Sequence, residues 1–328
     1  HNAVIKTVDK ELAFASEIGF NSIRVFLSYH VWKYQHDGFL DRFDNFLAVA
    51  DKHNISVMPV LGNDCLIPKG LYKMPEFGPQ PFDLGYHGGH AKSCHDHQTE
   101  QGYSLLDEPS EALKHYEMVE EIVKKHANDK RIIMWDLFNE PGNSLRREKS
   151  VPHVIKYFEA ARSLNPSQPL TAGVWCYDEK GVPNDAAQLK AAELSDIITW
   201  HHYGDWISTI TIIDKLKEMY DRPLINTEWL HRIQHNDLKM IFPLFYLEKI
   251  GSYNWGFITG KTQTNLPWQN LWYLYETGQA KSLDFRLWQH DLFHQNYKPY
   301  DPEEIDIIKY FARMSKEKYE RNKGLTDS

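Results

Sequence analysis

Residues 7–27, TVDKELAFASEIGFNSIRVFL, carry the pattern on which the fold turns. Val8, Leu12, Ala15 and Ile18 recur at helical spacing behind a Thr7 cap, Gly19 closes the helix, and residues 22–27 read as a strand. The unit then repeats. Leu40, Phe43, Leu47 and Ala50 mark a second helix, stopped near Asn54, ahead of strand 55–61, in which Pro59 is out of place. Helix 111–125 leads to strand 131–137, 154–164 to 170–174, 186–194 to 197–201, 207–220 to 224–227, and 238–250 to 252–257. A last helix is capped by Asp301 with Pro302 at its first position, and carries Ile305, Ile308 and Phe311 at helical spacing.

Strands apolar on both faces that alternate with helices belong in a parallel sheet covered by those helices, because each parallel crossover needs a helix-length connection. Seven helix-then-strand units without a glycine fingerprint after an early strand predict a closed (β/α)8 TIM barrel rather than an open doubly wound sheet. The first unit begins with a helix, so strand 22–27 takes the second place in the barrel, and the first strand is expected upstream of His1. No composition shift divides the chain, and residues 1–328 are expected to form a single catalytic barrel domain.

The 45 acidic groups outweigh 37 basic ones, leaving a net charge of −8. This gives no general attraction to nucleic acid or anionic lipid. No apolar run is long enough to insert in a membrane as a helix. Three cysteines, Cys65, Cys94 and Cys176, are too few for a disulfide framework. The chain opens at His1 without an initiator Met or a leader, and reads as a processed or trimmed product whose favoured location is secreted or periplasmic. Oligomeric state is not legible. Ten Trp and 18 Tyr exceed the needs of a core and suit a surface that holds an amphipathic ligand.

Reactive groups of such barrels sit at the carboxyl ends of the strands. Strand 131–137 runs into Phe138-Asn139-Glu140-Pro141 and strand 224–227 into Glu228-Trp229. A carboxylate at the tip of an apolar strand is costly unless paired or used, so the two suggest a functional pair; the alternative for each is a helix cap or an ion pair. Two connections, residues 62–108 and 260–299, are far longer than turns and lie on the same face.

The segment Trp135-Asp136-Leu137-Phe138-Asn139-Glu140-Pro141, then His201-His202-Tyr203, Asn226-Thr227-Glu228-Trp229 and Asn254-Trp255-Gly256, resembles clan A of the retaining glycoside hydrolases, particularly family 5. That resemblance implies Glu140 as general acid/base and Glu228 as nucleophile. It also implies Asn139 on the sugar's 2-hydroxyl, Arg24 and Tyr203 positioning the nucleophile, His201 beside the acid/base, and Trp255 as a stacking floor. Asn63 and Asp64, at the end of strand 55–61, could touch ligand hydroxyls or bond the adjacent loop. Arg24 could equally be a buried ion-pair partner. Trp32, Trp175, Trp200, Trp206, Trp229, Trp268 and Trp272 are candidates for subsites or for packing.

Acetal cleavage needs a proton for the leaving oxygen and a nucleophile at the anomeric carbon. Carboxyls about 5–5.5 Å apart permit direct attack and retention, and the narrow gap is expected here. An ionised Glu228 should keep Glu140 protonated until the glycosyl-enzyme forms. The expected substrate is a β-linked oligo- or polysaccharide, and cellulase, mannanase, xylanase and exo-glycosidase activities all fit. A non-hydrolytic carbohydrate-binding barrel or a transglycosylase are the alternatives. No cofactor is implied, nor a metal: the His/Cys-rich run 87–97 lacks the paired spacing of a closed zinc site and reads as a polar wall. Gly260-Lys261-Thr262 lacks the first glycine of a phosphate loop, and Asn54-Ile55-Ser56, a glycosylation sequon, leads into a buried strand.

Overall fold

The computed structural model describes residues 2–82, 87–88 and 100–326. Its helices are α1 (Asn2–Ile18), α2 (Tyr29–Tyr34), α3 (His36–Lys52), α4 (Pro109–His126), α5 (Val151–Ser163), α6 (Ala186–Leu194), α7 (Trp206–Met219), α8 (Leu238–Glu248), α9 (Gln269–Glu276) and α10 (Pro302–Thr326). Its strands are β1 (Ser22–Phe26), β2 (Ser56–Val60), β3 (Trp135–Phe138), β4 (Leu170–Ala172), β5 (Ile198–His201), β6 (Leu224–Glu228) and β7 (Gly251–Ser252). All pair in parallel, β1 to β4 in one ladder and β5 to β7 in another. Val174 joins the two: its N–H donates to Thr199 O at 2.9 Å and its carbonyl accepts from His201 N at 2.7 Å. The architecture is the TIM barrel that the alternation predicted.

Among the described residues no ladder links β7 to β1. Side chains span the interval instead: Ser22 Oγ lies 2.7 Å from Tyr253 Oη, and Phe20 and Phe257 meet edge to face while packing on both halves of the core. Pro59 is accommodated because the odd-numbered amides of β2 face β3. Val57 N and Leu61 N bond Arg131 O and Asp136 O, and Pro59 falls between them where that ladder is interrupted. The same interruption shortens β3 at its start relative to the expected 131–137. The strand expected at 252–257 shrinks to Gly251–Ser252, since from Phe257 onward the backbone pairs with Leu292 and Phe293 in the chain's own long loop.

The turn after β3 is the tightest part of the fold. Glu140 (φ 46°), Ser144 (54°), Leu145 (58°) and Arg147 (48°) are all left-handed non-glycine residues, each costing about 1–3 kcal/mol unless the surroundings over-determine it. Asp64, at the end of β2, supplies that constraint. Its fully buried carboxylate accepts from Gly142 N at 2.8 Å and from Ser150 Oγ, and pairs with Arg146 Nε at 3.0 Å. Arg146 in turn grips Asp107 through two bonds of 2.8 and 2.9 Å. Asp64 therefore bonds the adjacent loop and does not line the cleft, which corrects its placement among the ligand-contacting residues.

Gly62 marks how closely β2 approaches β3: a Cβ there would lie 2.7 Å from the Phe138 ring and 2.9 Å from Tyr157, whereas one on Gly70 would meet open space. Gly62→Ala is expected to cost about 1–3 kcal/mol by overpacking and Gly70→Ala nearly nothing, measured by urea unfolding. Equal behaviour of the two variants would refute the packing argument. Burial pushes the Asp64 carboxyl up to about 6 against the pull of Arg146. The folded chain then takes up that proton before the unfolded chain does, so stability from this group falls as pH rises. Relative to Asp64→Asn, the wild type should lose stability between pH about 4 and about 6 and run level above; a difference that rises across this window contradicts the assignment.

Candidate active site

Four strands deliver one buried cluster to the barrel's carboxyl end. From β1, Arg24 sends Nε to Asp136 Oδ2 of β3 at 2.8 Å, Nη2 to Asn139 Oδ1 at 2.5 Å and Nη1 to Glu228 Oε1 of β6 at 2.7 Å. Arg24 is thus a buried ion-pair partner, and one of its two carboxylate partners is Glu228. Its guanidinium is held charged by Asp136 and Glu228 against the cost of burial. The other oxygen of Glu228 accepts from Tyr203 Oη at 2.8 Å. Burial and the adjacent carboxylates push that phenol well above its ordinary range, so it stays a donor.

Glu140 faces Glu228 across His201. His201 Nδ1 is 2.7 Å from Glu140 Oε1 and 3.5 Å from Glu228 Oε2, and one oxygen of each glutamate and this nitrogen all lie within 4.8 Å of one another. Each glutamate is 6% exposed, enough to meet a ligand and too little to be solvated like a surface group. The parallel register that pairs His201 with Glu228 sets this spacing. Glu140 Oε2 carries two further donors, Asn143 Nδ2 at 2.5 Å and Cys65 Sγ at 2.9 Å. Neither was foreseen. Asn143 comes from the left-handed turn and Cys65 from two residues past Asn63, positions that strand ends alone do not single out.

Asn139 is 2% exposed; its amide donates to Asn63 Oδ1 at 2.8 Å, and its oxygen is taken by Arg24. Asn63, half-buried, uses the same oxygen to accept from Cys65 N at 3.0 Å. Trp255 is half-buried beyond β7, edge to face with Phe26, whose ring is 41% exposed at the end of β1. His87, from the far loop, accepts from Trp255 Nε1 at 3.1 Å and Trp268 Nε1 at 3.2 Å through the same Nε2, which places its ring proton on Nδ1. Trp268 also meets Tyr203 edge to face at 5.2 Å. The remaining tryptophans divide. Trp200 and Trp229 are core, Trp32 donates to Glu121 away from the site, Trp175 donates to Pro141 O, Trp272 packs on Phe285, and Trp206 is exposed on the carboxyl face.

Among the described residues two groups could offer ligands to a metal. In the first, Asp44 and Asp129 already pair with Arg131 Nη2 at 2.6 Å each, and His126 Nδ1 lies 2.9 Å from Asp129 Oδ2. Glu140, His201 and Glu228 form the other. Of the His/Cys-rich run 87–97, only His87 and Gly88 are described; the rest lies outside the described residues. No helix among the described residues is long and apolar enough to cross a membrane.

The pig (Sus scrofa) β-glucuronidase is 27% identical to this chain over 122 residues, which are 35% of this chain and 18% of that protein. The chain spans less than a fifth of the length of the curated relatives it matches. In fold it is similar to the endo-1,4-β-D-mannanase of Thermotoga petrophila RKU-1, with a TM-score of 0.56, 14% identity, and 94% of this chain and 95% of that one covered. The endo-1,4-β-mannanase of Rhizomucor miehei gives 0.57 at 13% identity, covering 94% and 90%. Residues 84–295 match the family model described as glycosyl hydrolases family 2, TIM barrel domain, rather than the family 5 to which the motifs pointed in particular. The chain belongs to glycosyl hydrolase family 2, as its TIM-barrel domain.

Proposed function

We propose that residues 1–328 form one catalytic barrel, a retaining O-glycosidase acting on β-linked oligo- or polysaccharides, with Glu140 as acid/base and Glu228 as nucleophile. The observation that carries this is the pair of nearly buried carboxylates on either side of His201 Nδ1, too close for an intervening hydrolytic water. Glu228 accepts from Arg24 Nη1 through one oxygen and from Tyr203 Oη through the other. Its charge discourages a second charge on Glu140 and so favours a protonated acid.

In the first step Glu228 bonds the anomeric carbon as the C–O bond breaks, and Glu140 protonates the departing oxygen. Glycosylation removes the charge on Glu228, and Glu140, now a carboxylate, takes a proton from the water that releases the sugar. We assign Asn139, beside Arg24 and Asn63, to the sugar's 2-hydroxyl, and the half-buried Trp255 with the exposed Phe26 to stacking. The printed names of the relatives and fold neighbours, β-glucuronidase and mannanase, support a β-linked hexosyl substrate. The contact of His87 with Trp255 and Trp268 draws the two long loops together on one side, which favours release of short units.

A 2-deoxy-2-fluoro glycoside with a good leaving group should label Glu228 covalently, seen by peptide mass spectrometry. Tight sugar binding without a label, across several sugars, would favour the binding barrel. Glu140→Ala should lower kcat/KM by roughly 10²–10⁴-fold on poor leaving groups and far less on activated aryl glycosides. Equal losses would remove Glu140 from that role.

A further inference from the structure

We propose that Cys65 and Asn143 are positioning residues that clamp Oε2 of Glu140 and thereby confine its transferable proton to Oε1. The inference rests on Glu140 as the acid/base. The directions of the bonds are fixed by their surroundings. Asn143 Oδ1 accepts from Ser144 N at 2.5 Å, which turns the amide nitrogen toward Oε2, 2.5 Å away. The Cys65 sulfur receives N–H groups from Asn139 Nδ2 at 3.5 Å and Asn143 Nδ2 at 3.4 Å, so its own S–H is the group left for Oε2 at 2.9 Å.

A carboxyl oxygen facing two donors accepts from both and has no room for a proton of its own. The acid's proton therefore belongs on Oε1. That oxygen touches His201 Nδ1, which also lies 3.5 Å from Glu228 Oε2, so Oε1 is on the nucleophile's side of the carboxyl group. The glycosidic oxygen must sit there, because it is bonded to the carbon that Glu228 attacks. In the first half-reaction the Oε1–H bond breaks as the proton passes to that oxygen; in the second, water returns a proton to Oε1. The two donors stay in place throughout and stabilise the carboxylate form. Without either one the carboxyl holds its proton more tightly and is free to turn the wrong oxygen to the substrate.

The test compares Cys65→Ala, Cys65→Ser, Asn143→Ala and Glu140→Ala with the wild type. Each is assayed on 2,4-dinitrophenyl and phenyl β-glycosides of glucuronic acid, mannose, glucose, galactose and xylose, with pH profiles of kcat/KM. Cys65→Ala and Asn143→Ala should each lose roughly tenfold on the phenyl glycoside and under about twofold on the dinitrophenyl one. Their basic limb should move upward by about half a unit or more while the acidic limb stays. Cys65→Ser, whose hydroxyl can still donate, should recover most of the loss. Parallel losses on both leaving groups with unmoved limbs, while Glu140→Ala keeps its leaving-group dependence, overturn the clamp alone. Absence of that dependence in Glu140→Ala, or no hydrolysis of any glycoside by the wild type, overturns the acid/base reading beneath it.

Discussion

The Arg24 guanidinium is the point on which the cluster depends. It is one buried positive charge facing two buried carboxylates, Asp136 and Glu228, with side-chain exposures of 4%, 0% and 8%. Burying unpaired charge is expensive, and a site built this way starts one negative charge in excess before Glu140 is counted. A proton on Glu140 limits the excess to one, whereas two ionised glutamates around His201 would double it. Removing Arg24 would leave Asp136 and Glu228 both buried without their shared cation.

Much of the architecture was legible because it rests on short-range rules. The helix 186–194 was read to the residue, and α10 begins with the anticipated Asp301 cap, whose Oδ1 accepts from Glu303 N at 2.9 Å. What failed were features decided elsewhere in the chain. The strand expected at 252–257 was claimed by Phe293, some 36 residues later, and short α2 and α9 lie in connections where no long period could accumulate. At the site, strand-end position pointed to Glu140 and Glu228, since the barrel itself fixes where those side chains converge, whereas Arg24, inside its strand, came only with the family resemblance. Asn63 and Asp64 show the limit of that rule. Adjacent residues leave a strand in opposite directions, and here Asn63 turns toward Asn139 while Asp64 turns into the buried anchor of the turn.

That anchor explains why Asn143 escaped notice. Its placement requires left-handed backbone at Glu140, Ser144, Leu145 and Arg147, which none of these residue types announces. The strain is sustained because Asp64, Arg146, Asp107 and Ser150 lock the turn from behind, so buried charge in the scaffold maintains geometry in front of it. The arrangement couples the two layers: loosening the ion pairs behind the turn frees Asn143, and with it one of the two donors on Glu140.

The aromatic excess resolves along similar lines. Trp135, Trp200 and Trp229 are fully buried packing elements, and their sequence positions inside or just after strands explain them. Trp255 and Trp268 differ because a residue 168 and 181 positions away takes both of their N–H groups. Both indole N–H groups converge on the single lone pair of His87 Nε2, which they share. Trp268 is buried and Trp255 half-buried; in the proposed function the Trp255 ring meets the C–H surface of a sugar, and hydroxyl recognition falls to the polar side chains around Glu140 and Glu228. On the proposed function, a cleft so divided would discriminate by where a sugar's hydroxyls point once its ring has been stacked, with the polar half of that discrimination supplied by the side chains around Glu140 and Glu228.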